Sequence, residues 1–267
     1  MTVLELIATD FIPSLKNGRN RPLLLSCRDA AGESLEVITK FRGREMNEKS
    51  QLVELVAAQL ADDLGLDVPR VAVVDVPDDF HTIIQNSDDA EMVRKSAGLN
   101  FGSVNVGPGF TTWLPGRAPH GVQRDQAAAI FAFDTLIQNP DRRAVNPNLW
   151  VRSDRLGVYD HEQAFSFLFL PIIGGAPRPW NPVDQAAGFP FLENHIFYTP
   201  LRGGRFDLGS FEERLAELPD AKIDGYMEAV PEEWRHGHDL CDQIRAYLQE
   251  ARQERNKLIG FVKHILR

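Results

Sequence analysis

The strongest constraint in this sequence is an apolar helix pattern that stops abruptly in a run of polar side chains. Residues 122–138, VQRDQAAAIFAFDTLIQ, predict a helix, and Asn139-Pro140 follows directly. Proline ends the helix because it has no N–H to donate and its ring collides with the preceding turn. The next residues, DRRAVNPN at 141–148, could form a simple turn, since Asn, Pro and Asp favour turns for conformational reasons. They are also residue types that can hold a phosphate, a metal ion and a hydroxyl together, so a catalytic loop is the alternative.

Composition and charge narrow the class of protein. The chain has 267 residues, of which 43% are hydrophobic and 25% charged, as in a globular protein of one large domain or two lobes. Its net charge of −9 offers no broadly basic surface for DNA or RNA, so we expect no direct nucleic-acid partner. No apolar run reaches the ~20 residues of a membrane span, and no basic segment precedes the apolar residues of the N-terminus. Cys27 and Cys241 lie far apart, which argues against a zinc site and favours a reducing compartment. We therefore expect a cytoplasmic protein.

Strand patterns come first along the chain. Residues 22–41 predict two strands joined by a turn, and residues 68–76, VPRVAVVDV, predict a buried strand. Between them, residues 50–64 have a helical period that Gly65 ends. Residues 98–116, rich in Gly and Pro, predict a strand that runs into an extended connector.

Helix patterns dominate after this connector. The helix at 122–138 is followed by two short extended pieces, at 148–151 and 156–160, and then by a Pro/Gly-rich loop at 171–182. Residues 238–266 predict one long amphipathic helix. Strands first and helices last predict an α+β fold, with the Gly/Pro connector as a hinge between two lobes. Ligands favour clefts between lobes.

Three oxygen-bearing residues in and after the polar run suit phosphoryl transfer. Asp141 and Asn146 lie five residues apart in the loop, and Asp160 ends the second extended piece. If the two extended pieces form a hairpin, Asp160 returns to face Asn146. Mg²⁺ binds carboxylate and amide oxygens and keeps several waters, so one Asp and one Asn are a sufficient protein contribution. A carboxylate that positions the attacking hydroxyl completes the set that phosphoryl transfer needs.

Two segments carry a resemblance to a known family. NPDRRAVN, 139–146, resembles the catalytic loop of the HipA-like kinases and of the wider phosphatidylinositol kinase clan. VYDHEQAF, 158–165, is similar to the metal-binding Asp segment of that clan. The resemblance implies that Asp141 is the catalytic base and that Asn146 and Asp160 bind Mg²⁺.

The N-terminal half carries a softer resemblance to the same family. EVITKF, 36–41, looks like the strand that bears the nucleotide lysine, which makes Lys40 the candidate. The helix pattern that follows resembles the family's next helix, whose Glu pairs with that lysine, and Glu54 is the match. Small residues on the same helical face would let this helix approach the sheet closely enough for the pair to form; they are Ala57, Ala58 and Ala61.

No G-x-G-x-x-G loop is available to cover the phosphates. SLKNGRNRP, 14–22, is the candidate phosphate loop, with Lys16 and Gly18 as candidate nucleotide-binding residues. Arg143 stands where HipA itself has His, so no role of that His is carried over.

Several polar residues near the loop have simpler explanations. Arg142 either steadies a phosphate or binds Asp160 as a structural ion pair, and we expect the ion pair. We expect His195 to be a packed side chain and His161 to orient the loop after Asp160.

The resemblance implies a two-lobed protein-kinase-like fold, with a small β-rich N-lobe containing one helix and a mostly helical C-lobe. The expected domains are a nucleotide-binding lobe at 1–115 and a catalytic lobe at 116–267. The implied reaction is Mg²⁺-dependent transfer of the γ-phosphoryl group of ATP to a hydroxyl, with a protein Ser or Thr as the expected acceptor. A relation to bacterial toxin–antitoxin systems, with a regulatory protein partner, is implied as well. Two alternatives stay open: a pseudokinase acting as a nucleotide-binding or interaction module, and a relative that transfers AMP.

Overall fold

The computed structural model describes residues 1–13, 22–42, 47–114, 116–168 and 176–267, and the fold is α+β. Five strands of the N-terminal part form a closed barrel; they are β1 (Leu4–Ile12), β2 (Leu23–Arg28), β3 (Ser34–Lys40), β4 (Val71–Val76) and β5 (Gly98–Val104). Their spatial order is β1-β2-β3-β5-β4, and closure pairs each strand on both sides. Only β1 and β4 pair in parallel, with Leu4 opposite Ala72.

Alternation along the strands separates the inside of the barrel from its outside. On β4, Ala72 and Val74 belong to the apolar cluster inside the barrel, whereas Val71 and Val73 belong to a second cluster outside it. The interior is tight at Gly102 on β5, where an added Cβ would lie 2.6 Å from the Val37 side chain. A glycine at this position therefore leaves room inside the barrel for the Val37 and Val74 side chains of the two neighbouring strands.

Helix α1 (Glu48–Asp63) packs against the outer faces of β4 and β5. The Asn47 side chain begins the helix by accepting a hydrogen bond from the backbone N–H of Ser50 at 3.0 Å. Gly65, with φ +82°, follows its end. Helices α7 (Asp220–Glu228) and α8 (Glu232–Arg235) cover the other side of α1, so every residue from 51 to 61 is buried.

The remaining elements follow the barrel in sequence. A short helix α2 (Ser87–Arg94) lies between β4 and β5, and a three-stranded antiparallel sheet is formed by β6 (Thr111–Thr112), β7 (Leu149–Arg152) and β8 (Arg155–Val158). Helix α3 (Gln123–Ile137) precedes that hairpin. The other helices are α4 (Pro182–Ala187), α5 (Tyr198–Leu201), α6 (Gly209–Glu217), α9 (Leu240–Gln253) and α10 (Arg255–Ile265). None of the helices in the described ranges is long and apolar enough to cross a bilayer.

Three details differ from the sequence predictions. The single helix predicted for 238–266 is wrong, because α9 and α10 are separate helices that meet at Glu254. The part of the chain before residue 115 contains α2 in addition to the one helix predicted there. Strand β1 was not predicted, since its parallel partner β4 lies far away in sequence.

The larger apolar cluster joins the two parts of the chain. It contains buried residues of α1, β4 and β5 together with those of α3 and the C-terminal helices. Helix α1 therefore packs against the barrel on one side and against C-terminal helices on the other. The division at residue 115 remains a prediction.

Candidate active site

The centre of the site is the ammonium group of Lys40, which lies among three carboxylates. Lys40 Nζ is 2.9 Å from Glu54 Oε2, 2.6 Å from Asp160 Oδ1 and 3.4 Å from Glu162 Oε2. We call Lys40, Glu54, Asp160 and Glu162 the Lys40 cluster. The Lys40 side chain is 11% exposed and that of Glu54 only 3%. Four charged groups thus meet in a place that water reaches poorly.

The amide of Gln51 positions Lys40 at the end of β3. Its Nε2 donates to the backbone carbonyl of Lys40 at 3.2 Å, and its Oε1 accepts from the backbone N–H of Phe101 on β5. One buried side chain of α1 therefore holds both strands to the helix. Glu54 lies one turn further along α1, and the small residues on its face are buried, as the sequence predicted for a close approach.

Asp160 reaches Lys40 because the β7–β8 hairpin turns the chain back. Asp160 has φ +62°, in the left-handed region, where Asp is one of the few residue types tolerated besides glycine. The backbone N–H of Val158 donates to the carbonyl of Asp67 at 2.8 Å, which fixes the end of β8 against the loop after α1. The backbone conformation at Asp160 is thus set by the hairpin before it.

Burial and neighbouring charges shift the pKa values in this cluster in different directions. Burial alone would lower the pKa of Lys40, but Asp160, Glu54 and Glu162 outweigh it and raise that pKa. Burial raises the pKa of Glu54 to about 7 against the opposing attraction of Lys40, and the charge of Asp160 adds to the increase. Burial would also raise the pKa of Asp160, but Lys40 lowers it. Among the described residues, three carboxylates thus share the ammonium of Lys40.

A second group of polar contacts surrounds Asp141. Asp141 Oδ2 accepts from Asn146 Nδ2 at 2.6 Å and from Asn148 Nδ2 at 3.4 Å, and Oδ1 accepts from Arg143 at 3.0 Å. The backbone groups of Arg143 and Asn146 pair with each other across the turn. The loop therefore brings Asp141 and Asn146 together, as their spacing predicted.

Arg142 links this loop to the segment around Asp160, but its ion-pair partner is Asp134 and the expected pair with Asp160 is wrong. Arg142 Nε is 2.5 Å from Asp134 Oδ2. Its guanidinium also donates to the backbone carbonyls of Asn148, at 2.6 Å, and Tyr159, at 3.4 Å. Arg142 is 1% exposed and Asp134 fully buried. The residue holds the chain on either side of the hairpin in place.

Asp134 is the hub of a fully buried network on α3. It accepts from Asn139 Nδ2 at 3.1 Å, from Arg142, and from His195 Nε2 at 2.9 Å; we call these four residues the Asp134 cluster. Burial by itself would raise the pKa of Asp134, but Arg142 and His195 lower it to about 2. His195 is thus a packed, hydrogen-bonded side chain, as expected.

His161 lies between the two clusters. Its Nδ1 is 3.3 Å from the Arg142 guanidinium, and burial followed by the charge of Arg142 lowers its pKa to about 3. It is 1% exposed, and its Nε2 has no hydrogen-bond partner among the described residues. A neutral imidazole therefore adjoins Asp160 with one ring nitrogen unused.

A cavity of about 400 Å³ opens onto three members of the Lys40 cluster. Lys40, Glu54, Asp160 and His161 form its polar end. The rest of the wall is mostly apolar and includes Ile38, Val71, Val104, Phe110, Trp150 and Val158. Gly157 faces Trp150 across the hairpin, and an added Cβ there would lie 1.9 Å from the indole ring. A cavity of this size with one polar end suits a nucleotide-sized ligand.

Comparison with known proteins decides the family. The family model of the HipA-like kinases matches residues 9–170, more than half of the chain. The chain belongs to the HipA-like kinase family. Membership of this family indicates that the chain is a kinase, whose class of reaction is phosphoryl transfer.

Two solved kinase structures are similar to this HipA-like kinase. The proinflammatory kinase CtkA of Helicobacter pylori is 10% identical, with a TM-score of 0.49; the match covers 90% of this chain and 94% of CtkA. The Golgi casein kinase, solved with Mn and ADP bound, is 13% identical, with a TM-score of 0.42; the match covers 99% of this chain and 72% of that one. No curated protein matches the chain. The family assignment rests on the sequence match.

The structure adds two residues that the sequence predictions for this HipA-like kinase missed. Glu162 joins the Lys40 cluster, and Asp134 holds the loop from inside α3. A charged residue within the apolar run AIFAFDTLI was the available signal for Asp134, and the spacing of Glu162 from Asp160 was the signal for Glu162. Lys16 and Gly18 lie outside the described residues.

Proposed function

We propose that this chain transfers the γ-phosphoryl group of ATP to a hydroxyl group in a Mg²⁺-dependent reaction. The observation that carries the proposal is the position of Lys40. Its ammonium lies at the polar end of the cavity and is bound by Glu54 from α1 and by Asp160 from the hairpin. Kinases need a lysine oriented by a glutamate to hold the triphosphate, with an aspartate close by for the metal ion.

The cavity supports ATP as the donor. Its apolar wall would take the base and ribose, and Phe110 and Trp150, whose ring centroids lie 4.6 Å apart, supply aromatic surface. The phosphates would then reach the polar end, where Lys40 offers the positive charge. Lys16 and Gly18 complete the proposed phosphate contacts.

Mg²⁺ fits the donor atoms at that end. Asp160 and Asn146 would supply a carboxylate and an amide oxygen, which are ligands that Mg²⁺ prefers. When bound, the metal ion neutralises charge on the phosphate oxygens. Asn146 donates its amide N–H to Asp141, which leaves the amide oxygen of Asn146 for a metal ion.

Asp141 would act as the base. The acceptor hydroxyl oxygen forms a bond to the γ-phosphorus while the bond from that phosphorus to the oxygen of ADP breaks, and the hydroxyl proton passes to Asp141. Arg143 and Asn146 donate to different oxygens of this carboxylate, so its orientation is held from both sides. The Asp134 cluster would keep the whole loop in register through Arg142.

The finer features of the proposal follow the family. The nucleotide site lies between an N-lobe at 1–115 and a C-lobe at 116–267 in the proposed arrangement. The acceptor is a Ser or Thr hydroxyl of a protein, as in the HipA kinases that the sequence resembles. This acceptor class, and a regulatory partner of antitoxin type, are inferred from family alone.

The test is label transfer from ATP labelled at the γ position, in Mg²⁺, for the wild-type chain and for Asp141→Ala. We expect label on protein or release as phosphate, and a loss of about 10²- to 10⁴-fold in the variant, the range for a general base. Asp154→Ala, in the exposed β7–β8 turn, is the matched control and should keep wild-type activity. Transfer that is unchanged in Asp141→Ala would refute the role of this residue.

A pseudokinase is the second candidate, and one observation favours it. Three carboxylates already surround the Lys40 ammonium, so phosphate has to displace a partner before it can bind. Thermal stabilisation by Mg·ATP without any label transfer would support this reading. Label that arrives from the α position and not from the γ position would indicate AMP transfer instead.

A further inference from the structure

A second cavity adjoins the one that opens onto Lys40. It has a volume of about 360 Å³ and is lined by residues of the loop after α1, the connector after β5 and the β7–β8 hairpin. Neither Lys40 nor Asp160 lines it. The two cavities share a part of their walls, formed by Val68, Pro69, Val104, Val106, Phe110 and Trp150. The second cavity is therefore a separate place for a ligand beside the proposed nucleotide site.

The charged side chains of this second cavity are mainly positive. Arg70, Arg152 and Arg155 line it, and we call it the arginine cavity. Asp67 is the one acidic residue among its described lining residues, and its two carboxylate oxygens accept from the Arg155 guanidinium, one of them from Nε at 2.7 Å. Neither Arg70 nor Arg152 forms an ion pair with any residue that the structure describes. Two uncompensated positive charges thus remain at one cavity.

This local excess of positive charge runs against the composition of the chain. The sequence has 38 acidic and 29 basic residues, so acidic partners are abundant. Two arginines elsewhere form ion pairs within their own helices, Arg94 with Glu91 and Arg245 with Asp242. Like charges on one concave surface create a potential that attracts counter-ions. The arginine cavity therefore favours an anionic ligand.

Two of the three guanidinium groups are held in place by the chain itself. Asp67 binds that of Arg155 through both oxygens. The guanidinium carbon of Arg152 lies 5.2 Å from the centroid of the Phe110 ring, within cation–π distance, and Phe110 meets the Trp150 ring edge-on. A guanidinium presents its N–H donors in a planar fork that matches phosphate oxygens, and groups held in advance lose less entropy when a ligand binds. The arginine cavity is thus preorganised for phosphate.

We propose that the arginine cavity binds a small molecule with two linked phosphate groups. The two unpaired guanidiniums, of Arg70 and Arg152, can each donate to one phosphate group, whereas a single phosphate would leave less charge compensated. The aromatic rings of Phe110 and Trp150 offer a surface for the organic part of such a ligand. This binding site goes beyond the phosphoryl transfer proposed above and does not depend on it.

The experiment measures the binding of inorganic pyrophosphate by isothermal titration calorimetry, at constant ionic strength and without nucleotide or divalent metal. The proteins are the wild type, Arg70→Gln, Arg152→Gln and the matched control Arg205→Gln, an exposed arginine that does not line the cavity. Loss of one charge-assisted hydrogen bond should weaken pyrophosphate binding about tenfold in each cavity variant. Arg205→Gln should bind pyrophosphate like the wild type, and orthophosphate should bind the wild type more weakly than pyrophosphate does.

Two further measurements separate a ligand contact from a structural role. Arg70 and Arg152 are exposed, so neither substitution should lower the thermal stability of the chain without pyrophosphate. Arg70→Lys keeps the positive charge but loses the planar fork, so it should recover only part of the pyrophosphate affinity.

A wild type that does not bind pyrophosphate overturns the proposal. Equal affinity in the wild type and the two cavity variants does so too, because pyrophosphate would then bind elsewhere, such as at Lys40. An equal loss in Arg205→Gln would reduce the effect to net charge, and a parallel loss of thermal stability would reduce it to folding; both results contradict a phosphate site. Label transfer from ATP by a chain that binds no pyrophosphate would refute the arginine cavity alone and leave the proposed kinase function intact.

Discussion

The Lys40 cluster and the Asp134 cluster are built from similar charged side chains, but their donors and acceptors are arranged in opposite ways. In the Asp134 cluster, one carboxylate receives donors from three residues, and burial is complete. In the Lys40 cluster, one ammonium is divided among three carboxylates, and the carboxylate of Asp160 is partly open to solvent. In the first arrangement donors converge on one acceptor, whereas in the second acceptors converge on one donor that also lines the cavity.

This difference indicates that the Asp134 cluster stabilises the fold and that the Lys40 cluster is the part that can bind a ligand. A buried charge with its full set of partners is costly to disturb, since removal of one partner leaves the others uncompensated. The Lys40 cluster borders a cavity, so its ammonium can exchange a carboxylate partner for a ligand at a smaller structural cost. The two lie side by side, since His161, which follows Asp160 in the chain, is 3.3 Å from the guanidinium of Arg142.

The largest expected effect is that of Asp134→Ala, which removes the hub of the satisfied cluster. Arg142 would stay buried without a counter-charge, so the free energy of unfolding should fall by about 3–5 kcal/mol. Urea unfolding measures the loss. Asp125→Ala, at the exposed start of the same helix, should cost far less. If both variants lose equally little, the Asp134 cluster is not a source of stability.

The next effect is the contribution of His161 to the pH dependence of stability. The pKa of His161 is lowered from 6.5 to about 3 by burial and by Arg142, so the unfolded chain takes up a proton at pH values where the folded chain does not. His161 therefore lowers the free energy of unfolding by about 2 kcal/mol from pH ~7.5 to pH ~5. His195 acts in the same direction, and the raised pKa of Glu54 acts in the opposite one.

Matched variants isolate the contribution of His161. The change in the free energy of unfolding between the two pH values should differ by about 2 kcal/mol between the wild type and His161→Gln, and the exposed His264→Gln should retain the wild-type dependence. The same pH dependence in His161→Gln and in the wild type would show that His161 is protonated without penalty in the fold.

The smallest expected effect on stability is that of Glu54→Gln in the Lys40 cluster. Burial already raises the pKa of Glu54, so its charge is not a source of stability, and the free energy of unfolding should change by less than about 1 kcal/mol. Label transfer from ATP should nevertheless fall, because Lys40 loses its 2.9 Å partner on α1. A loss of stability as large as that of Asp134→Ala would erase the distinction between the two clusters.

The sequence predicted those parts of the fold that depend on neighbouring residues. The β2–β3 hairpin, helices α1 and α3 and the β7–β8 hairpin follow from local period and turn chemistry, and all are present. The pairs β1–β4 and β3–β5 close the barrel over long separations, which no local pattern encodes. The break between α9 and α10 was missed because the apolar period continues across it.

The site was predictable where it rests on family resemblance and not where it rests on three-dimensional partners. The contacts of Lys40 with Glu54 and of Asp141 with Asn146 lie where the motifs placed them, and their catalytic roles stay predictions. The partner of Arg142 could not be read from the loop, because Asp134 lies within the preceding helix. Glu162 was not predicted as a contact of Lys40, because the family motif in this segment centres on Asp160.

The closed barrel has a consequence for how the chain reaches its native state. Strand β1 is the first to be synthesised, yet its parallel neighbour β4 begins only at Val71, and β5, which pairs with β3 and β4, only at Gly98. Domains dominated by such distant contacts fold slowly, since the chain must search before pairing is rewarded. Barrel closure should therefore be a late kinetic step, and helix α1, formed from local contacts, should be ready before the sheet that presents Lys40 to it.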